Sequence, residues 1–190
     1  LQQHIDDVYI ASQANIKDRI TVDFEGANLY LGAVSRLEMV NVDLKSGGNL
    51  GVGSLDDLQI VSLDPNRPNM LTVGQNTNTL EGDNVQLYAH ERIVVDGLSF
   101  GGHVDEIYME ARTVDLRNVT FPDGSEVKLA SEYGGMDGKY PTFGLDERQT
   151  GRVNFIKDVY YDENHVYSRD SFDALGSLPN GKYPITIKKR

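Results

Sequence analysis

Between positions 92 and 117 the chain sets Arg92, Asp96, Arg112, Asp115 and Arg117 at intervals close to one repeat. Carboxylates with guanidinium groups beside them are the equipment of glycoside chemistry, which needs two carboxyl groups held at a set separation across a cleft. Asp96 and Asp115 are the candidates here. Their alignment reads as loose, with Asp96 one residue out of step with Arg117 and Asp115 one residue out of step with the position a turn beyond Val95. Outward positions of any soluble strand carry charge. No catalytic constellation is complete, and the expectation is a protein that is not an enzyme.

Other chemistry is thinner. The four histidines, His4, His90, His103 and His165, have neither the i, i+4 spacing nor the clustering of a metal site. His90 and His103 flank a repeat strand and read as corner residues. The acidic pairs Asp56-Asp57 and Asp105-Glu106 have the oxygen chemistry for calcium, but a calcium cage needs about six or more converging ligands. They read as solvated corner charge, with a calcium-stabilised extracellular module kept as an alternative. Tyr30, Tyr88, Tyr108, Tyr133, Tyr140, Tyr160 and Tyr161 could stack on sugars or meet another subunit. No phosphate loop or G-x-S-x-G elbow is present.

Composition narrows the classes further. A formal net charge of -11 over 190 residues argues against nucleic acid as a partner, because phosphate contact needs a basic face. The chain has no cysteine, which removes disulfides, thiolate metal sites and cysteine nucleophiles together. No run approaches the roughly 18 apolar residues of a membrane-spanning helix. A start at Leu1 rather than Met reads as processing or trimming of an exported protein.

The elements that would position these residues are short strands. Asn28-Leu29-Tyr30-Leu31-Gly32 recurs as Asn49-Leu50-Gly51-Val52-Gly53, and Ile10, Leu31, Val52 and Val73 stand 21 residues apart. Later counterparts are Val85-Gln86-Leu87, Ile107-Tyr108-Met109 and Val127-Lys128-Leu129, at spacings of 14, 22 and 20. A second pattern travels with the first: Leu37, Met39, Val42 and Leu44 match Ile93, Val95, Leu98 and Phe100, then Val114, Leu116, Val119 and Phe121. Leu58, Ile60 and Leu63 supply three of the four. Within each pair the apolar residues alternate, as in a strand with one buried face. Between pairs the spacing is three, so the chain must bend. The residue at the bend is Asn41, Ser62, Gly97 or Asn118, and Gly and Asn tolerate left-handed backbone angles.

This pattern predicts an all-β, right-handed parallel β-helix with about 21 residues per coil. A β-sandwich would not demand a fixed register, whereas parallel stacking does. Residues 1–131 read as coils, with 75–83 as a shortened or looped coil. Residues 132–190 read as a turn-rich excursion and C-terminal cap of the same domain, including a strand from Gly151 to Ile156, a short helix over 168–175 and a closing strand at Ile185-Thr186-Ile187. Solenoid ends expose unpaired strand edges, so stacking of copies is expected unless caps prevent it.

The coils, with Asn118-Val119-Thr120-Phe121-Pro122-Asp123-Gly124-Ser125-Glu126-Val127-Lys128-Leu129, resemble filamentous-haemagglutinin-like exported β-helix proteins. The tail from Tyr133 through Phe155-Ile156 is similar to a C-terminal segment of large exported proteins of uncharacterised function from environmental bacteria. The resemblance covers about residues 28–190. It implies secretion or surface display and an adhesive or structural role, with contacts to copies of itself or to a surface polymer such as polysaccharide, and self-assembly into filaments or matrix. The alternative is a polysaccharide lyase or hydrolase, or a glycan-binding module, on the same architecture, with Asp96, Asp115 and Arg117 as the residues to substitute.

Overall fold

The computed structural model describes residues 7–11, 18–24, 28–74, 83–122, 125–130, 152–161, 165–167 and 185–187. Among them every regular element is a strand. A first turn holds β1 (Asp7–Ala11), β2 (Ile20–Phe24) and β3 (Leu29–Ala33), and a second holds β4 (Arg36–Val40), β5 (Val42–Ser46) and β6 (Leu50–Ser54). β7 (Asp57–Val61), β8 (Asn69–Val73) and β9 (Asp83–Tyr88) form the third. β10 (Arg92–Gly102) and β11 (Val104–Glu110) form the fourth, and β12 (Thr113–Phe121) and β13 (Glu126–Ala130) the fifth. β14 (Arg152–Tyr161), β15 (His165–Tyr167) and β16 (Ile185–Ile187) complete the chain.

The strands make one ten-stranded and one six-stranded sheet, parallel except where β15 and β16 join. The larger sheet is two ribbons. β10 shows the division: residues 92–96 pair with β7 and residues 98–102 with β8, so one strand passes round a corner from one ribbon to the other. β3, β6, β9, β11 and β13 form the third ribbon. All-β parallel strands in this order fit a β-solenoid.

Burial explains why these residues stack. Leu37, Leu58, Ile93 and Val114 lie one above another, as do Met39, Ile60, Val95 and Leu116, all of them buried. In the third ribbon Leu50, Val85, Ile107 and Val127 make the matching buried column. Each side chain caps the one below at the parallel-strand spacing of about 4.8 Å, and full burial contributes roughly 1.5–3 kcal/mol apiece. Phe100 and Phe121 continue this in the second ribbon, their rings stacked with centroids 5.9 Å apart.

Two register expectations are corrected. Leu31 does sit on Val52, but Ile10 pairs with Met39, and Val73 lies in β8 opposite Gly102. Their 21-residue spacing links different ribbons. The ribbons share the same alternating apolar pattern, and the steps between paired residues are uneven. Down the first ribbon Asp7, Arg36, Asp57, Arg92, Thr113 and Arg152 pair in succession, at offsets of 29, 21, 35, 21 and 39. Leu63 also leaves its column. It is half exposed, and Leu71 takes the place opposite Leu44 and Phe100. Leu58 and Ile93 pair directly, so the stretch between them is one looped turn rather than a shortened extra one.

The expected C-terminal strands are present. β14 extends β12, with Ile156 extruded where the register shifts, and β15 and β16 add antiparallel to β14 and β13. Residues 75–82, the excursion over 132–151 and the helix expected over 168–175 lie outside the described residues.

Candidate functional site

The corner between the first two ribbons is where the sequence departs furthest from plain strand. Asn41, Gly97 and Asn118 have φ of 55°, 88° and 52°, as the bend requires, and Asp158 joins them at 51°. Successive corners are tied together: Asn41 N–H donates to the Val61 carbonyl, Leu63 N–H to Asn41 Oδ1, and Asn118 Nδ2 to Asp96 Oδ1 at 2.8 Å.

Ser62 is the exception. It is not among the positive-φ residues, because here the chain does not turn but leaves in a loop, 63–68, before re-entering at Asn69. In the turn below, Ile20 N–H bonds to the Asn41 carbonyl; the equivalent partner for Val42 N–H has been carried away with the loop. The Asn69 side chain replaces it. Fully buried, its Oδ1 accepts from Val42 N–H at 2.9 Å and its Nδ2 donates to the Gly97 carbonyl at 3.1 Å, so one side-chain amide stands where a corner peptide would. Beside it Arg19, 4% exposed, reaches Asp43, the Pro68 carbonyl and Asn69 Oδ1, while Asp43 accepts from Met70 N–H.

The displaced loop builds a wall. Ser62 Oγ donates to the Arg67 carbonyl at 2.6 Å with the Asp64 carbonyl 3.1 Å away sharing the same proton, and Asp64 Oδ1 accepts from Asn66 N–H, so the loop is braced from within. Against this wall runs a half-open groove of about 290 Å³. Asp64, Pro65 and Pro68 form the wall, Gly97 and Asn118 lie at the corner line, and Ser99, Thr120 and Tyr160 line the second ribbon. Asp96 and Asp158 enter from the first ribbon's side.

The candidates for chemistry separate. Asp96 lines the groove, and it is in register with Arg117, not one residue out of step. Asp115 pairs with Val94, is buried, and is held by Arg92 at 2.8 Å, so the two carboxylates do not form a catalytic pair in one groove. Arg112 is bound to Glu91 at 2.7 Å, which places it in an ion pair across turns. His90 and His103 lie at the turns between β9 and β10 and between β10 and β11, as expected of corner residues. His165 is in β15, and His4 lies outside the described residues.

Neither acidic pair converges on a cation. Asp56 is exposed in the bend before β7 and Asp57 begins that strand, and Glu106 is engaged by Lys128 at 2.6 Å. That bond, first among the causes, raises the Lys128 pKa above the ordinary lysine value of 10.5. Among the described residues no group of three or more His, Asp or Glu side chains could hold a metal.

The tyrosines divide too. Tyr30 is 66% exposed and lies against Gly51, where an added Cβ would stand 2.6 Å from the ring. Tyr108 donates to Glu110, Tyr88 is half buried over Gly53, and Tyr160 lines the groove. Tyr161 pairs through its backbone with His165, while Tyr133 and Tyr140 lie outside the described residues. The groove itself was missed from sequence. Its signal is the Pro- and Asp-bearing run Ser62 to Pro68, set where the bend should have been.

The described residues form an all-β protein of parallel strands in two sheets, an arrangement that fits a β-solenoid. Compared with known proteins, the chain matches no protein-family model, no curated protein and no solved structure. Among the described residues no helix is long and apolar enough to cross a membrane.

Proposed function

We propose that the chain is an exported, filamentous-haemagglutinin-like structural or adhesive β-solenoid, right-handed with a basic turn of 21 residues, that acts at a bacterial surface by contacting a surface polymer or copies of itself. Right-handed winding follows the strong preference of parallel crossover connections. The observation that carries the role is how the outward polar side chains are used. Arg92 with Asp115, Arg112 with Glu91 and Lys128 with Glu106 bind one another from turn to turn, so side chains that could serve a reaction instead brace the stack.

The closing strands bear on assembly. β15 and β16 add antiparallel at the C-terminal end, which works against endless parallel stacking of copies. Polymer contact is therefore the stronger half of the proposal. The test is retention of the purified chain on immobilised polysaccharides, with light scattering and negative-stain microscopy alongside. Retention or discrete self-association supports the role; a monomer that binds no polymer overturns it. The groove favours a glycan-binding module within that role, whereas turnover of a glycan by the chain would point to the enzyme reading.

A further inference from the structure

We infer that the corner groove is a binding site for a neutral saccharide segment, recognised through side chains across successive turns. The inference rests on the polymer-binding half of the proposed function and names its place and ligand class.

Three properties of the groove carry it. The first is shape. The β4-to-β5 corner is a simple bend at Asn41, but in the third turn the 63–68 loop leaves the stack and stands as a braced wall, and Gly97 lets Ser62 at the foot of that wall pack close, since an added Cβ there would stand 2.8 Å from Ser62 Cβ. The result is an open trough of about 290 Å³, the lower end of the range for small-ligand sites. It crosses the third turn, β10, β12 and β14, and rungs about 4.8 Å apart make its floor on the order of 15 Å long.

The second is the kind of hydrogen bonding on offer. Backbone groups of β10 and β12 are committed to the parallel ladder on both sides, and β15 covers the outer edge of β14 at Val159–Tyr161, so the groove floor offers a peptide strand little edge to join. Recognition falls to side chains: the Ser99 and Thr120 hydroxyls both donate and accept, and the Asp96 and Asp158 carboxylates accept. A ligand carrying hydroxyls, each donor and acceptor, fits that set. Asp96 is already oriented by Asn118, so its second oxygen is presented without further ordering. Tyr160, Pro65 and Pro68 add ring surfaces against which the C–H face of a sugar packs.

The third is charge. Asp64, Asp96 and Asp158 line the trough and outweigh Lys157, whose Nζ lies 3.7 Å from Asp158, in a chain whose net charge is -11, so a polyanion is repelled and a neutral polymer is not. With no metal-competent cluster among the described residues, recognition is independent of calcium.

The test is affinity electrophoresis of the whole chain through gels carrying neutral glucans, mannans or galactans, with polygalacturonate as the acidic counterpart, both with and without chelator. Thr120→Arg fills the trough from an exposed position and leaves the core untouched, while Asp96→Asn keeps the shape and removes the charge. Tyr30→Ala alters the third ribbon, remote from the groove. The expected result is retardation by a neutral polymer in chelator, weakened about tenfold or more by Thr120→Arg and by Asp96→Asn, the loss of one charge-assisted hydrogen bond or more, and unchanged by Tyr30→Ala. Retardation that both groove variants retain but Tyr30→Ala abolishes overturns the groove and leaves the adhesive reading standing. Preference for polygalacturonate overturns the ligand class. Failure of every polymer to retard the wild type overturns the polymer-binding reading and the groove together. Circular dichroism melts of each variant distinguish lost binding from lost fold.

Discussion

At the scale of single residues, Asn69 has the sharpest consequence. Its amide serves two corners at once, so Asn69→Leu, similar in size, leaves Val42 N–H buried without its acceptor and takes a donor from the Gly97 carbonyl and an acceptor from Arg19. The expected loss is about 2–4 kcal/mol in urea denaturation; a loss under about 0.5 kcal/mol would show that water replaces the amide. Lys128 gives a pH signature. Its pKa is raised in the folded state by Glu106, so the stabilisation from that bond is fully present below 10.5 and is lost as pH rises through the higher folded value. The urea midpoints of wild type and Lys128→Met should differ by a constant amount from neutral pH up toward the ordinary lysine value of 10.5 and converge as the pH rises beyond it. Left-handed angles at Asn41, Gly97 and Asn118 were legible from residue type and position. Asp158 was not, because aspartate at a strand position reads as ordinary outward charge. The role of Asn69 was hidden for a related reason: a polar residue in an apolar column looks like a break in the repeat until the departing loop is seen.

At the scale of elements, the recurrence of Asn before an apolar strand has a physical basis. Asn28 Oδ1 accepts from Asn49 N–H, and Asn49 Oδ1 accepts from Asn84 N–H, both at 2.8 Å, making a ladder of side-chain carbonyls along the start of the third ribbon. Asn49→Ala removes an acceptor from within this ladder and should cost about 1 kcal/mol, more than Asn84→Ala, which leaves both bonds in place. Equal losses in denaturant would mean that the ladder follows the strands without supporting them. Strand type and the inward residues of the first ribbon were readable because alternation and burial go together. Column membership was less readable. Ile10 and Val73 matched by spacing but lie in other ribbons, since loops of different length enter between strands while the alternation of each strand is unchanged. Charge roles were least readable: Asp96 and Asp115 look alike in sequence, yet one enters a groove and the other is taken by Arg92.

At the scale of the whole molecule, parallel strands stacked turn on turn put their ladder hydrogen bonds along the direction of stacking. A chain anchored to a surface at one end and holding a polymer elsewhere would be pulled along that direction. Tension then falls on one rung at a time, as in a zip, rather than on many rungs sliding together. In an optical trap gripping the two termini, the stack should open in small successive steps at low force rather than in one large rupture. The register sets the step sizes. Freeing the paired offsets of 21 and 35 residues releases about 70 and 120 Å of extended chain, at roughly 3.4 Å per residue. A single rupture of the full length would show instead that the turns yield together. Stepwise opening would let such an anchor lengthen and dissipate a sudden pull, then rewind when the load is removed.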